Sequence, residues 1–351
     1  MAEGSQNAWF SPYLRTLEYC ANAIAHSTFS PGSVFSIFSL LCALLIAVAF
    51  LAYRRARKGK PPVRLRVLAR ALFPRWFWRS ASMRADIGFY FLNTVAIGGF
   101  IGWGLISANT VSHLTIHALT GALGPSHASP LPHIVASAWL TLALFVAYDF
   151  AYWIDHYLSH KIPVLWDFHR VHHTAETLSP LTNARVHPVD SLIFANITGL
   201  CVGSTHGVVG YFLGNAASEA MLSGTNVIYL GFLFAVVHLQ HSHVPIQFGR
   251  RLNRIFFSPA HHHIHHSTRP EHFNSNLGSC LAVWDWMFGT LIDPQEVKGR
   301  LTFGVEMEGD RYTPHSMAGT LVWPFVRAAR RAMPRRTPAK TAANTAYELS
   351  P

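Results

Sequence analysis

Charge is what this chain has least of: Asp, Glu, Lys and Arg make up 13% of its 351 residues, against about 25% in a typical soluble domain. Acids are scarcest, 17 against 28 basic residues, so the formal net charge is +11. Cysteine is sparse too. Cys20, Cys42, Cys201 and Cys280 form no C-x-x-C pair, which excludes a disulfide framework and a thiolate metal site. No dinucleotide G-x-G-x-x-G, haem-attachment C-x-x-C-H or ferredoxin cysteine series occurs, so the chain carries no such redox-cofactor motif. An H-E-x-x-H helix is also missing, which argues against a membrane zinc hydrolase. The first 32 residues lack the basic-then-apolar layout of a cleaved signal peptide, so the first apolar run is expected to be a retained anchor. No repeat of fixed period and no nucleic-acid module is visible.

What is abundant is apolar surface. Half the residues are hydrophobic, and 24 Phe and 10 Trp are among them. Five runs approach the roughly 20 residues needed to cross a bilayer core: about 33–53, 87–106, 134–153, 192–213 and 219–238. Residues 54–85 hold eleven of the basic residues, 154–190 hold three, and the chain after 238 holds thirteen; 107–133 and 214–218 hold none. Five spans with the N-terminus outside put every basic-rich segment in the cytoplasm. The expected fold is therefore all-α: an integral, multi-pass membrane helical bundle of about five spans, with a cytoplasmic histidine-rich helical cap and a cytoplasmic C-terminus. Within the first basic segment, VRLRVLARALFPRWFWRS admits two readings, a headgroup-layer stretch or a loop that only fixes orientation. Gly199, Gly203, Gly207 and Gly210 recur at close to helical spacing and suit tight helix packing or, less readily, groove space for a substrate. The tail from about 327 is basic, then small and polar, and is expected to be disordered.

The chain holds 22 histidines, and those in the expected cytoplasmic segments are grouped. DHYLSH carries His156 and His160; HRVHH carries His169, His172 and His173; QHSH carries His241 and His243; HHHIHH carries His261, His262, His263, His265 and His266. Spacings of i, i+3 and i+4 stack side chains on one helical face, so each of the first, second and fourth groups is expected to present its imidazoles in one direction. Between His173 and His241 lie two apolar runs, and an even number of crossings returns the chain to the same face, where the groups can converge. Free imidazoles with pKa near 6.5 would each be about one-quarter protonated at pH 7, and metal binding takes the neutral ring. Eight such rings, His156, His160, His169, His172, His173, His262, His265 and His266, exceed the four that one tetrahedral zinc uses, so two metals are expected. A metal transporter would place ligands near the bilayer midplane rather than at span ends. A non-catalytic metal-dependent membrane protein remains an alternative.

At these residues the chain resembles the fatty acid hydroxylase/sterol desaturase family of integral membrane di-iron enzymes. The matching patterns are H-x-x-x-H at 156–160, H-x-x-H-H at 169–173 and H-x-x-H-H at 262–266, with HPVD from His187, His241 after the last span, and NSNLGSCLAVWDWMFGTL from Asn274. The resemblance covers roughly 134–295. It implies two iron ions, dioxygen as co-substrate, and a lipid substrate hydroxylated or desaturated at a C–H bond. It adds His187 and His241 to the eight ligands above and leaves His243, His261 and His263 open. It also implies a separate electron-transfer protein, ferredoxin-like or a b-type cytochrome, drawn to a basic face that includes Arg250, Arg251 and Arg254. Asp155, Asp167, Glu176, Asp190 and Asp285 lie near the boxes and can orient imidazoles or serve only as caps and surface charge. The corresponding division is an N-terminal segment (1–32), membrane anchor spans with a basic loop (33–130), a catalytic domain (131–295) and a C-terminal segment with a basic tail (296–351).

Overall fold

The computed structural model describes residues 6–61, 64–97, 106–126, 129–214, 217–305 and 313–333, mostly as helix with very little strand. Helix α1 (Gln6–Phe29) is followed by α2 (Ile37–Ala56), whose start is capped by the Ser36 hydroxyl accepting from the Phe38 amide. Two short helices follow, α3 (Leu65–Leu72) and α4 (Arg75–Arg79), broken from each other at Pro74, whose ring cannot continue a helix. Helix α5 (Ala81–Phe91) starts at a Ser80 cap and widens into a π-helical turn over Leu92–Ile97. Helix α6 (Ala108–Leu123) ends at Gly124, where φ is +88°. Then come α7 (His133–Lys161), α8 (Pro163–His173) and α9 (Pro188–Leu213), the last two carrying proline in the first turn, where its missing N–H is no loss. A two-stranded antiparallel hairpin, β1 (Met221–Leu222) and β2 (Thr225–Asn226), leads into α10 (Val227–Gln240). Helices α11 (Pro259–His265), α12 (Val283–Phe288) and α13 (Met317–Ala332) complete the chain.

Among the described residues, three helices are long and apolar enough to cross a membrane: α2, α7 and α9. They correspond to the first, third and fourth expected spans. Of the second, residues 98–105 lie outside the described residues. The fifth differs from expectation. Its helix, α10, is shorter, roughly 21 Å at 1.5 Å per residue, because residues 217–226 spend the start of the run on the hairpin. That hairpin is pinned to α7: the Ala220 amide donates to Thr141 Oγ1 at 2.9 Å, and Asn226 Nδ2 donates to the Thr141 carbonyl at 3.0 Å. Helix α10 therefore begins well along α7 and needs only the remaining length to reach its end.

Helix α9 packs between α6 and α7. A Cβ at Gly199 would collide with the Ile106 carbonyl, and one at Gly203 would lie 2.6 Å from the Ala108 carbonyl. At Gly207 it would lie 2.5 Å from the Thr115 side chain, whereas at Gly210 it would meet Ile116 only at 3.9 Å. Three of the four glycines thus permit close approach, and Gly210 does not contribute. Helix α6 falls within the segment expected to be an outside loop. Its polar Asn109, Ser112 and His113 interrupt the apolar run, and Ser112 meets His206 of α9 at 2.9 Å. The basic beginning of the expected disordered tail is helical to Ala332; residues 334–351 lie outside the described residues.

Candidate metal centre

Nine of the ten histidines singled out as ligands come together in two adjoining groups. His156, His160, His169, His173 and His265 form one, and His172, His241, His262 and His266 the other; within each group one ring nitrogen per residue lies within 4.8 Å of the rest. Helix geometry explains the sorting. His156 and His160 share a face at the end of α7. On α8, His169 and His173 are four apart and face the first group, while His172, about 100° away from His173, faces the second. Helix α11 repeats the pattern with the groups exchanged: His262 and His266, four apart, face the second group, and His265 faces the first. The two H-x-x-H-H boxes are therefore each split between centres rather than aimed one way, as their spacing alone suggests. The groups touch, since the His173 and His266 ring centroids are 4.5 Å apart.

The outer nitrogens decide which way the lone pairs point. A backbone carbonyl can only accept, so an imidazole nitrogen facing one carries the proton and leaves the other nitrogen bare. His156 Nδ1 donates to the Leu277 carbonyl at 2.8 Å, and His265 Nδ1 to the Ser275 carbonyl at 2.9 Å. His172 Nδ1 faces the Arg185 carbonyl at 3.3 Å, and His169 Nδ1 the Asp190 carboxylate at 3.0 Å. Their Nε2 lone pairs converge inside the clusters. His156, His160 and His169 each bury an Nε2 with no hydrogen-bond partner. In the second group His241 Nε2 lies 3.0 Å from His172 Nε2, 2.8 Å from His262 Nε2 and 3.2 Å from His266 Nε2. One ring proton cannot satisfy three such neighbours, whereas a cation at the centre satisfies all four lone pairs.

Burial, reinforced by neighbouring imidazoles, holds His172, His173, His241, His262 and His266 well below the ordinary histidine range, and burial brings His265 to about 3. Burial thus favours the neutral ring at these six histidines. Accumulated positive charge is not what calls for a cation here; the converging lone pairs are.

His187 is the exception among the expected ligands. Its Nδ1 accepts from the Val189 amide at 3.1 Å, capping α9, and its Nε2 meets the Leu321 carbonyl at 3.1 Å, so both nitrogens are engaged outside the groups. His261 caps its own helix through Ser258, and His243 reaches the Ala71 carbonyl at 2.8 Å. His263 is buried but belongs to neither group. Of the five nearby carboxylates, Asp190 orients an imidazole. Asp167 instead receives Arg327 and Arg331 of α13, at 3.0 and 2.6 Å, and Glu176 pairs with His315 at 3.4 Å. Asp155 buries an oxygen without a hydrogen-bond partner.

Asp285 acts on the backbone. Its carboxylate accepts from the Leu277 and Gly278 amides, each at 2.8 Å, and from Thr290 at 2.6 Å. Asn274 and Asn276 adopt left-handed φ of 58° and 53°, and Asn276 Nδ2 ties the His261 carbonyl at 3.2 Å. The N-x-N-x-G and W-D-x-x-x-G-T motifs thereby present the Ser275 and Leu277 carbonyls to His265 and His156. Two buried groups went unnoticed in the sequence. Asp149 of α7 accepts from the Cys280 amide and Trp284 Nε1, both at 2.9 Å. Arg185 donates through Nε to Asp86 at 2.7 Å and through Nη2 to the Ser82 carbonyl, while its own carbonyl faces His172. An isolated arginine and aspartate ninety-nine positions apart give no local pattern to find.

A cavity of about 650 Å³ adjoins both groups, with His160, His173, His265 and His266 on one wall and Trp166 and Phe273 among the others.

Comparison with known proteins gives three findings. Residues 141–290 match the model of the family described as fatty acid hydroxylase. An ornithine lipid hydroxylase of Rhizobium tropici is 29% identical over 155 residues, which is 44% of this chain and 42% of that protein; an alkylglycerol monooxygenase of Xenopus tropicalis is 25% identical over 46% of this chain and 32% of its own length. A methylsterol monooxygenase of Arabidopsis thaliana is 23% identical over 52% of this chain and 64% of its own. The match thus spans less than half the length of the first two relatives. No solved structure matches the chain.

Proposed function

Through residues 141–290 the chain belongs to the fatty acid hydroxylase family, and on that premise we propose that it is a membrane-bound di-iron oxygenase that hydroxylates a lipid. The observation that carries this reading is the pair of buried histidine groups with inward lone pairs. His156, His160, His169, His173 and His265 would hold one iron, and His172, His241, His262 and His266 the other. Imidazole suits iron but also zinc and copper, and it is the oxygenase relatives that favour a redox metal. When bound, two irons supply the dioxygen activation that an unactivated C–H bond requires.

The chain's own residues do the rest. Asp190 and the carbonyls of Leu277, Ser275 and Arg185 fix four ring tautomers and orientations, as outer partners of metal-binding histidines do. The cavity is of a size that suits a small ligand or part of a lipid, and it brings a substrate segment beside His160, His173, His265 and His266. The relatives are a hydroxylase and monooxygenases, which favours hydroxylation over desaturation. Electrons would come from a separate ferredoxin-like or b-type cytochrome protein, and the centre and C-terminus would face the cytoplasm, where the basic segments cluster.

Purified protein is expected to hold about two irons per chain and to oxygenate a component of a total lipid extract when given dioxygen and reductant. Both properties should be lost in His172→Ala. Zinc alone, with no oxygen-dependent product, would sink the reading.

A further inference from the structure

We propose that residues 64–79, helices α3 and α4, form a docking surface for the headgroups of anionic phospholipids. The surface goes beyond the oxygenase reading and does not rest on it. It begins with charge. Residues 54–85 contain eleven basic residues and no acid. Arg64, Arg66, Arg70, Arg75 and Arg79 are all exposed, and among the described residues none of the five makes an ion pair.

Exposed aromatic and aliphatic side chains interleave in sequence with these guanidinium groups. Trp76 is 62% exposed, Trp78 52%, Val67 53% and Phe73 49%. Between the two tryptophans Phe77 turns inward, only 7% exposed, with its ring edge-on to both at 6.2 and 5.6 Å. The sequence RWFWR is therefore one anchor flanked by two outward indoles and two outward arginines. Indole at the headgroup level and arginine reaching phosphate are the two contacts that an anionic bilayer surface offers together. An acidic protein would pair with the arginines but leave the aromatic surface without a stated partner.

Placement supports the same occupant. Residues 57–64 separate α3 from the membrane-length α2, so the surface lies beside a bilayer. It is also held rigidly. Leu72 packs on the core cluster of Ala43, Ala47, Leu239, Val244 and Ile246, and the Ala71 carbonyl meets His243 Nε2 at 2.8 Å. His243 lies two residues beyond His241 of the second histidine group, so docked headgroups would stand next to that centre.

The test uses the full chain, extracted in mild detergent and offered phosphatidylglycerol and phosphatidylcholine in equal amounts, with retained lipids read by native mass spectrometry. Wild type is expected to retain phosphatidylglycerol in preference by on the order of tenfold or more, and the Arg66→Gln/Arg70→Gln/Arg75→Gln/Arg79→Gln variant to lose that preference. The variant keeps the five basic residues from Arg54 to Lys60, so the charges that orient α2 remain. Four Arg→Lys changes at the same positions should restore the preference, which separates charge from misfolding. In phosphatidylglycerol vesicles with brominated chains, Trp76→Phe/Trp78→Phe should remove a quenchable share of the tryptophan emission. Equal retention of the two lipids by wild type, or an unchanged preference in the Gln variant, would overturn the proposal and leave an orienting loop. So would a Gln variant that keeps its lipid preference but loses binding to an acidic electron-transfer protein.

Discussion

At the residue scale, a histidine's role here is set by what its outer nitrogen touches. His187 spends both nitrogens on backbone. His187→Asn should therefore leave metal content unchanged, and because asparagine also caps helices it should cost little stability; His187→Ala should lose about 1 kcal/mol in chemical denaturation. Metal analysis of the two variants checks this, and a loss of iron in His187→Asn would restore His187 as a ligand. Asp190 is the opposite case, touching no expected metal position but orienting His169. Asp190→Ala is expected to weaken metal affinity about 10- to 100-fold, measured by chelator competition, with the helical circular dichroism retained. Asp86 acts at one further remove, because it holds Arg185, whose carbonyl faces His172. Asp86→Ala strands a buried guanidinium and should cost about 3–5 kcal/mol. At temperatures where that variant is still folded and has been loaded with ferrous iron, its absorption spectrum should differ from that of wild type loaded in the same way, because the pair also positions His172.

At the scale of elements, close approach of α9 and α6 depends on missing side chains. Gly203→Val puts a branched side chain where even a Cβ would lie 2.6 Å from the Ala108 carbonyl, and overpacking of this kind costs about 1–3 kcal/mol. Gly210→Ala, whose Cβ would meet only Ile116 at 3.9 Å, should melt like wild type. The sequence made these contacts partly legible. Glycine spacing pointed to a packing stripe but not to its partner, since α6 lies in a segment whose polar residues mask its helical pattern. The histidine boxes were legible as a set because i, i+3 and i+4 spacing is local. Their division between two centres was not, because it depends on how α8 and α11 are rotated against each other. The short α10 escaped because residues 219–238 read as one run, although Ser223, Gly224, Thr225 and Asn226 interrupt its apolar residues; the contacts of Ser218 with Ser137 and of Ala220 and Asn226 with Thr141 hold that first part as a hairpin.

At the scale of the whole molecule, the start of α2 packs beside the end of the short α10. Ser39, near the start of α2, meets His238, near the end of α10, at 3.0 Å, so α2 begins at the depth where α10 stops. Nine clustered imidazoles at the meeting point of α7, α8, α10 and α11 make any bound metal a link between elements distant in sequence. Stripping metal with a chelator should therefore lower the melting temperature, and ferrous iron should restore it; an unchanged melting curve would show that the helices hold the centre open unaided. The arginines at 250, 251 and 254 lie outside both histidine groups. Replacing all three with glutamine should slow reduction by an acidic electron carrier most at low ionic strength, with stopped-flow absorbance as the measure.

The buried pair of Asp86 and Arg185 has one further consequence, for modularity. Residues 141–290 would carry all nine clustered imidazoles into another protein, yet Asp86 precedes that stretch, and Arg327 and Arg331, which neutralise Asp167 on the HRVHH helix, follow it. A transplant of that stretch alone would arrive with one buried cation and one buried anion, each severed from its counterion. The unit that keeps these buried charges paired is therefore longer than the stretch that matches the family model, extending at least from Ser82 to Arg331.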